Sequence, residues 1–294
     1  MKEKITYALL FAWVRVHSLL PMRALYVLAD ILAFITYYIV RYRRRVVRKN
    51  LINSFPACSH KEILAIERRF YRHFADYVVE TLKLAGISEA ELLRRAHITN
   101  AELLFDLMEQ GHTCFILMMG HYGNWEWFSG TSARFNHRIR VNNIYRPLKN
   151  KAFDRLFLNL RTRFNAFGIK KNEAARDIIR LKQSGEPNLV VFVADQTPSK
   201  ANLHYWTQFL NQDTAILTGP ERIARKLGVP VIFVDLKPVR RGYYTVDFQL
   251  ITDRPKETPE NWITEQFARR METCILHDPA LWLWSHKRWK YSRD

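Results

Sequence analysis

The chain is short of cysteine and of acidic residues, and each shortage narrows what it can be. Its three cysteines, Cys58, Cys114 and Cys274, make neither an even disulfide framework nor a metal-ligand spacing. They read as small buried hydrophobes in a reducing compartment, and no metal site is expected. Asp and Glu together number 28 against 46 Lys and Arg, leaving a formal charge of +18 over 294 residues. Such an excess asks for an anionic partner, either nucleic acid or an anionic membrane surface. Also missing are a Ser or Cys nucleophile elbow, internal repeats, low-complexity tracts, and a linker long enough to separate independent domains.

What is present begins with an apolar N-terminus. Met1 to Leu20 has early lysines and an apolar middle interrupted by Arg15 and His17, and no small-residue cleavage site follows, which argues against a removed signal peptide. Met22 to Val40 is apolar apart from Arg23 and Asp30 and comes close to the roughly 20 residues that span a bilayer. The run RYRRRVVRK comes next, with Arg41, Arg43, Arg44, Arg45, Arg48 and Lys49. Juxtamembrane basic residues are worth about 1 kcal/mol each at an anionic leaflet, and they hold that end on the cytoplasmic side. Asp30 and the short length favour an embedded hairpin over a full span. The alternative is a buried helix pair in a soluble fold, which leaves the basic run without a partner.

Helices dominate the pattern up to residue 111, and from 112 to about 250 strands and helices alternate. Apolar positions at Ile63, Ile66, Phe70, Phe74, Tyr77, Val78 and Leu82 predict an amphipathic helix ended by Gly86. Ser88 with Glu91 predicts a capping box, and Asn100 the cap of a third helix stopped by Gly111. Strands are predicted over Cys114 to Met119, residues 139–145, NLVVFVAD ending on Asp195, and VPVIFVDL. Tyr243 to Ile251 alternates like an antiparallel or edge strand. Helices are predicted over Lys149 to Phe167 with Gly168 as C-cap, over 172–184, from Pro220, and over Pro259 to Leu276. A long loop is expected from Asp195 to about Thr218. The fold class is α/β, a mixed central sheet flanked by helices, with a helical membrane-associated region at 1–45 ahead of one domain at 46–294.

The stretch HTCFILMMGHYGNWEWFSG holds the strongest chemical signal. A buried strand ends at Gly120, and His121 and Glu126 follow at His-x4-Glu spacing, with Asn124 placed to cap a helix. Open α/β sheets do their chemistry at such strand ends. His121 could take a proton from a substrate hydroxyl while Glu126 holds the imidazole tautomer. With no protein nucleophile, the substrate itself would attack. The plain alternative is a satisfied loop histidine. Tyr145-Arg146-Pro147 places a guanidinium after the second strand, Arg161 and Arg163 lie on the next helix, and Asp195 and Gln196 end the third strand. Several arginines suit an anionic group such as phosphate, although helix arginines usually face solvent. Trp282, Trp284 and Trp289 beside His286, Lys287, Arg288 and Lys290 fit membrane-interface anchoring or stacking on bases; packing of the tail on the core is the favoured reading for at least two of the three.

GHYGNWE (120–126), IYRP followed by Asn150, the arginine at 161, ADQ (194–196) and WLWSHKRWK (282–290) together resemble the late acyltransferases of lipid A biosynthesis, within the wider lysophospholipid and glycerolipid acyltransferase superfamily. RRVVRKNLINSFP (44–56) also resembles their region after the membrane segment, so the likeness runs nearly end to end. The resemblance implies catalytic roles for His121 as general base, Glu126 as its partner, Arg161 and Asp195. It makes Arg146 a contributor to phosphate or donor binding, and Asn124, Arg163 and Gln196 are substrate-binding candidates by their places around the same strand ends. Family members often carry an Asp-His-Asp-like sequence after the third strand, where this chain has Asp195-Gln196-Thr197-Pro198.

The function implied is acyl transfer from acyl carrier protein, or from coenzyme A, to a hydroxyl of a lipid A precursor at the cytoplasmic face of a bacterial inner membrane. No cofactor is implied beyond that co-substrate. The partners are an anionic lipid acceptor, acyl carrier protein and the membrane, and not nucleic acid, for which the sequence has no recognised motif. Exposing an acyl chain of about twelve carbons to water would cost roughly 9 kcal/mol. The site is therefore expected to open toward the bilayer through a groove beside His121, with Trp125, Trp127 and Phe128 as lining candidates. The rival readings are acylation of a lysophospholipid, aminoacyl lipid or glycolipid, and a non-catalytic basic protein binding membrane or nucleic acid.

Overall fold

A computed structural model describes residues 2–135 and 138–293. The terminal residues Met1 and Asp294 of the two expected regions lie outside it. In chain order the elements are α1 (Lys2–Leu19), α2 (Met22–Phe34), α3 (Arg44–Ser54), α4 (His60–Lys83), α5 (Glu89–Arg95), β1 (Ala96–Ile98), α6 (Glu102–Glu109), β2 (Cys114–Met119), α7 (Trp125–Phe128), β3 (Arg140–Tyr145), α8 (Lys151–Thr162), β4 (Ala166–Lys170), α9 (Ala174–Gln183), β5 (Asn188–Val193), β6 (Tyr205–Phe209), β7 (Gln212–Ile216), α10 (Gly219–Leu227), β8 (Val231–Arg240), β9 (Tyr243–Thr252) and α11 (Trp262–His277).

Seven strands form one sheet in the order β1-β9-β8-β2-β5-β3-β4. The stretch from β8 to β4 is parallel, and β9 is antiparallel to β8. The mixed α/β sheet is therefore as expected. β2 is buried on both faces: Phe115, Leu117 and Met119 enter one apolar core, Cys114, Ile116 and Met118 the other. A strand covered by helices on both sides has no polar face, which is why its sequence is an unbroken apolar run.

Three local expectations change, and a fourth is narrowed. The helix over 149–167 stops at Thr162, and Gly168 is inside strand β4, where a Cβ would press on the Leu158 and Tyr145 side chains. Asn100 does not cap α6; its side-chain amide exchanges two hydrogen bonds with the backbone of Phe248 and pins the chain beside β9. The expected long loop contains the β6–β7 hairpin, whose sequence alternates too weakly to stand out. β9 is antiparallel, as expected, and lies one place in from the edge, where β1 pairs alongside it.

α2 lies against α4 and α1 against α8 and α4, and the sequence shows why α2 bears two faces. Met22, Leu25 and Ala29 are buried, whereas Val27, Leu28, Ile31 and Phe34 are exposed. Met22–Ile39 is long and apolar enough to cross a membrane by length and composition, with 22% of it buried. Asp30, the charge that interrupts the run, forms ion pairs with Arg241 at 2.7 Å and Arg72 at 3.4 Å. Ion pairs at Asp30 thus tie the apolar helix to the globular body.

Candidate active site

His121 and Asp195 meet because β2 and β5 are parallel neighbours in register. Met119 pairs with Val193, so the second residue past each strand end arrives at the same place. His121 Nδ1 lies 2.6 Å from Asp195 Oδ1, and the His121 amide donates to Asp195 Oδ2 at 3.0 Å. The Trp282 indole donates to the same Oδ2 at 2.6 Å. Burial alone would raise the Asp195 pKa, but the His121 ring, its hydrogen bonds and the indole outweigh that and hold the carboxyl at about 2. A permanent carboxylate on Nδ1 assigns the ring proton there and leaves Nε2 as the acceptor. The imidazole keeps 18% of its side-chain surface exposed.

The sequence reading made Glu126 the partner of His121, and here the structure differs. Glu126 is buried and faces Arg161, whose guanidinium donates through Nε (2.7 Å) and Nη2 (2.6 Å) to its two oxygens. The forked pair joins α7 to α8. His-x4-Glu spacing brings the two residues into one turn but does not point the carboxylate at the ring. The signal that finds Asp195 is a different one: equal offsets past the ends of two apolar strands.

Two glycines make the turn possible. A Cβ at Gly120 would collide with Met271 Sδ and come within 3.4 Å of Asp195 Cγ. Gly123 has φ +59° and faces Leu236 so closely that a side chain has no room.

The loop is held from behind by one face of α4, a support that sequence reasoning missed. His73 Nε2 lies 3.2 Å from the Gly123 carbonyl oxygen. Tyr77 stacks on Trp125 at 4.1 Å between ring centroids, and Trp125 in turn meets the His121 ring edge-on at 4.9 Å. Glu80 Oε2 accepts from Asn124 Nδ2 at 2.7 Å, and the Glu80 backbone carbonyl accepts from Trp127 Nε1 at 2.8 Å. Positions 73, 77 and 80 share one helical face. Polar residues at that spacing inside an apolar stripe were the available clue.

Glu80 is buried with no ion-pair partner among the described residues, and it also accepts from Tyr26 and Tyr244, each at 2.8 Å. Burial pushes its carboxyl up to about 7 against the lowering effect of those bonds. Asn124 therefore binds Glu80 rather than capping α7 with its side chain.

The remaining candidates disperse. Arg163 donates to the Leu84 carbonyl beyond α4. Arg146 is exposed on the loop after β3, and Gln196 is half-buried beside Asp195. Of the tail tryptophans, Trp282 and Trp284 are buried, and Trp289 donates to Thr214 Oγ1 at 2.7 Å, so tail packing holds for at least two of the three. Trp127 and Phe128 are core residues rather than groove lining, while Trp125 is half-buried beside the ring. Among the described residues no three His, Cys, Asp or Glu side chains gather as a metal-holding group.

A partly exposed imidazole oriented by a carboxylate suits proton removal from a hydroxyl. Comparison with known proteins gives this geometry its chemical context. Residues 1–291 match the family described as bacterial lipid A biosynthesis acyltransferase. The lipid A biosynthesis lauroyltransferase of Escherichia coli (strain K12) is 24% identical over 278 residues, covering 92% of this chain and 87% of the relative. Acyl transfer involving a lipid substrate near a membrane is the activity this supports. The chain belongs to the bacterial lipid A biosynthesis acyltransferase family.

Proposed function

We propose that this protein transfers a fatty acyl group from an acyl thioester, carried by acyl carrier protein, to a hydroxyl of a lipid A precursor. His121 is the general base, and the work takes place at the cytoplasmic face of a bacterial inner membrane. The observation that carries the reading is the 2.6 Å contact between His121 Nδ1 and Asp195, which frees Nε2 to accept a proton.

In this mechanism Nε2 takes the hydroxyl proton as the substrate oxygen attacks the thioester carbonyl. The tetrahedral intermediate collapses with cleavage of the C–S bond, and the departing thiolate recovers the proton from Nε2. Asp195 stabilises the imidazolium between those two transfers, and general-base assistance of this kind is worth about 10²–10⁴ in rate. Glu126 and Arg161 act together, fixing the start of α7 and through Trp125 the placement of the ring. The exposed apolar residues of α1 and α2 keep the acyl chains of donor and acceptor next to a lipid phase.

The test is to incubate purified protein with acyl carrier protein thioester and a lipid A precursor, and to read the mass gain of one acyl group. The gain should vanish with His121→Ala while folding and membrane association persist. A fully active His121→Ala would refute the mechanism. A lysophospholipid acylated in preference to the precursor would refute the acceptor.

A further inference from the structure

We infer that the arginine cleft at the end of the apolar helix is a binding site for a phosphomonoester on a lipid headgroup, and that it docks the acceptor lipid for acylation. The second half of that statement rests on the proposed function; the first does not. The cleft has a volume of about 550 Å³ and is lined by Arg41, Arg43, Arg44, Arg45, Val46 and Arg48. Five guanidinium groups surround it and no carboxylate lines it.

Two of those arginines are already committed. Arg44 and Arg48 are bound to the fully buried Glu67 at 3.0 and 2.7 Å, and Arg44 also lies over the Tyr37 ring. They form a fixed wall. Arg41, Arg43 and Arg45 are exposed, and no acidic partner neutralises them among the described residues. A phosphomonoester carries about −1.5 to −2 charge and three acceptor oxygens, a match for several forked donors that a singly charged phosphodiester lacks.

The cleft is shaped, not merely basic. Arg41 and Arg43 sit at φ +54° and +50°, a left-handed conformation that arginine seldom adopts. The turn is held by the Tyr42 amide on the Thr36 carbonyl and by the Tyr71 hydroxyl on the Tyr42 carbonyl. A flexible polybasic tether would need no such geometry. Strained, over-determined backbone of this kind collects at ligand clamps.

Position selects a lipid as the source of the phosphate. The helix continues from α2 through one π turn, Ile35–Ile39, and exposes Ile35, Tyr38, Ile39 and Val40 immediately before Arg41. Acyl chains laid along that face would bring their headgroup to the arginines. The cleft also connects to the candidate active site. Arg43 donates to the Ser285 carbonyl at 3.1 Å, and Trp282, three residues earlier, holds Asp195. Three residues reach about 11 Å at most. The tail segment 282–285 thus ties the arginine turn to the residues that hold His121.

The test uses R41Q/R45Q, since neither side chain forms an ion pair among the described residues. The full-length protein is bound to phosphatidylcholine nanodiscs containing phosphatidic acid, or phosphatidylserine at matched charge. The wild type should prefer phosphatidic acid at least tenfold. The variant should lose that preference but still bind both discs through its apolar helices. In the transfer assay, KM for a phosphorylated acceptor should rise five- to tenfold at unchanged kcat, with no change for the dephosphorylated acceptor. Absence of the nanodisc preference in the wild type would overturn the site. So would tight binding of inorganic phosphate without that preference. A KM rise confined to the acyl donor would overturn it in favour of a surface for an acidic carrier protein. A wild type that acylates nothing would instead refute the proposed function, and the nanodisc arm alone would decide the cleft.

Discussion

Replacing Asp195 by Asn separates orientation of His121 from simple burial of a polar group. Two donors converge on Oδ2, the His121 amide at 3.0 Å and the Trp282 indole at 2.6 Å, while Oδ1 faces only His121 Nδ1 at 2.6 Å. The single oxygen of Asn satisfies the most donors at the Oδ2 position. Its NH₂ then faces Nδ1, which must become an acceptor, and the ring proton moves to Nε2. The base is thereby blocked on the side the substrate needs. An equivalent tautomer switch in a Ser-His-Asp protease costs about 10⁴ in kcat, so a loss of roughly 10³–10⁴ is expected here. That is about 4–5.5 kcal/mol on the barrier. All three contacts persist, the one to Nδ1 with its direction reversed and without the carboxylate charge, so unfolding should shift by only about 1–2 kcal/mol. Single-turnover acyl transfer followed by mass spectrometry, with thermal unfolding in parallel, measures both numbers. A variant within tenfold of wild type would refute the tautomer argument. A larger kcat loss in Glu126→Gln with unchanged stability would return the ring-supporting role to Glu126.

Glu126→Gln is expected to act mainly on stability. It leaves the Arg161 guanidinium partly buried without its carboxylate, a loss of about 2–4 kcal/mol once its 28% exposure is allowed for. Thermal unfolding of E126Q should fall by several degrees and recover in part in E126Q/R161M. The buried Glu80 should make stability depend on pH in the direction opposite to an ion-paired acid. Its carboxyl is raised from 4.5 to about 7, so the folded state holds the extra proton between those values and gains stability as pH falls from above 7 toward 4.5. The difference in unfolding free energy between wild type and Glu80→Gln should change by about 3 kcal/mol over that window, and a flat difference would be wrong for this account. Finally, Val27→Gln, Ile31→Gln and Phe34→Gln together should release the protein from membranes with little change in thermal unfolding, because all three side chains are exposed. Deleting residues 1–40 should instead destabilise it. That deletion removes Tyr26 from Glu80, and the Ser18 and Leu20 carbonyls from the buried Lys83 ammonium.

The sequence carried the elements of this fold better than their relations. Apolar runs located β2, β5 and β8 because burial on both faces removes every polar position from a strand. The β6–β7 hairpin and β1 escaped, since a short or half-exposed strand leaves too little pattern to read. β4 was absorbed into the preceding helix because a bulky apolar residue, Phe167, continued the helical rhythm past the true end at Thr162. Asn100 and Asn124 were read as caps from their local position. Both spend their side chains on partners brought in by tertiary packing.

The site shows the same division at the scale of chemistry. His121, Glu126, Arg161 and Asp195 were each visible as residues, yet their pairing was misassigned between neighbours in sequence and neighbours in space. Sequence spacing reports which residues share a turn, and so it joined His121 to Glu126. The actual couples are separated by 74 residues for His121 and Asp195, and by 35 for Arg161 and Glu126. Parallel strand register produces the first couple and the packing of α7 against α8 the second. Once β2 and β5 are adjacent, the residue two past Met119 must face the residue two past Val193. The orienting carboxylate of a loop base in an open parallel sheet is therefore to be sought at the same offset on the neighbouring strand, ahead of any carboxylate in the base's own turn.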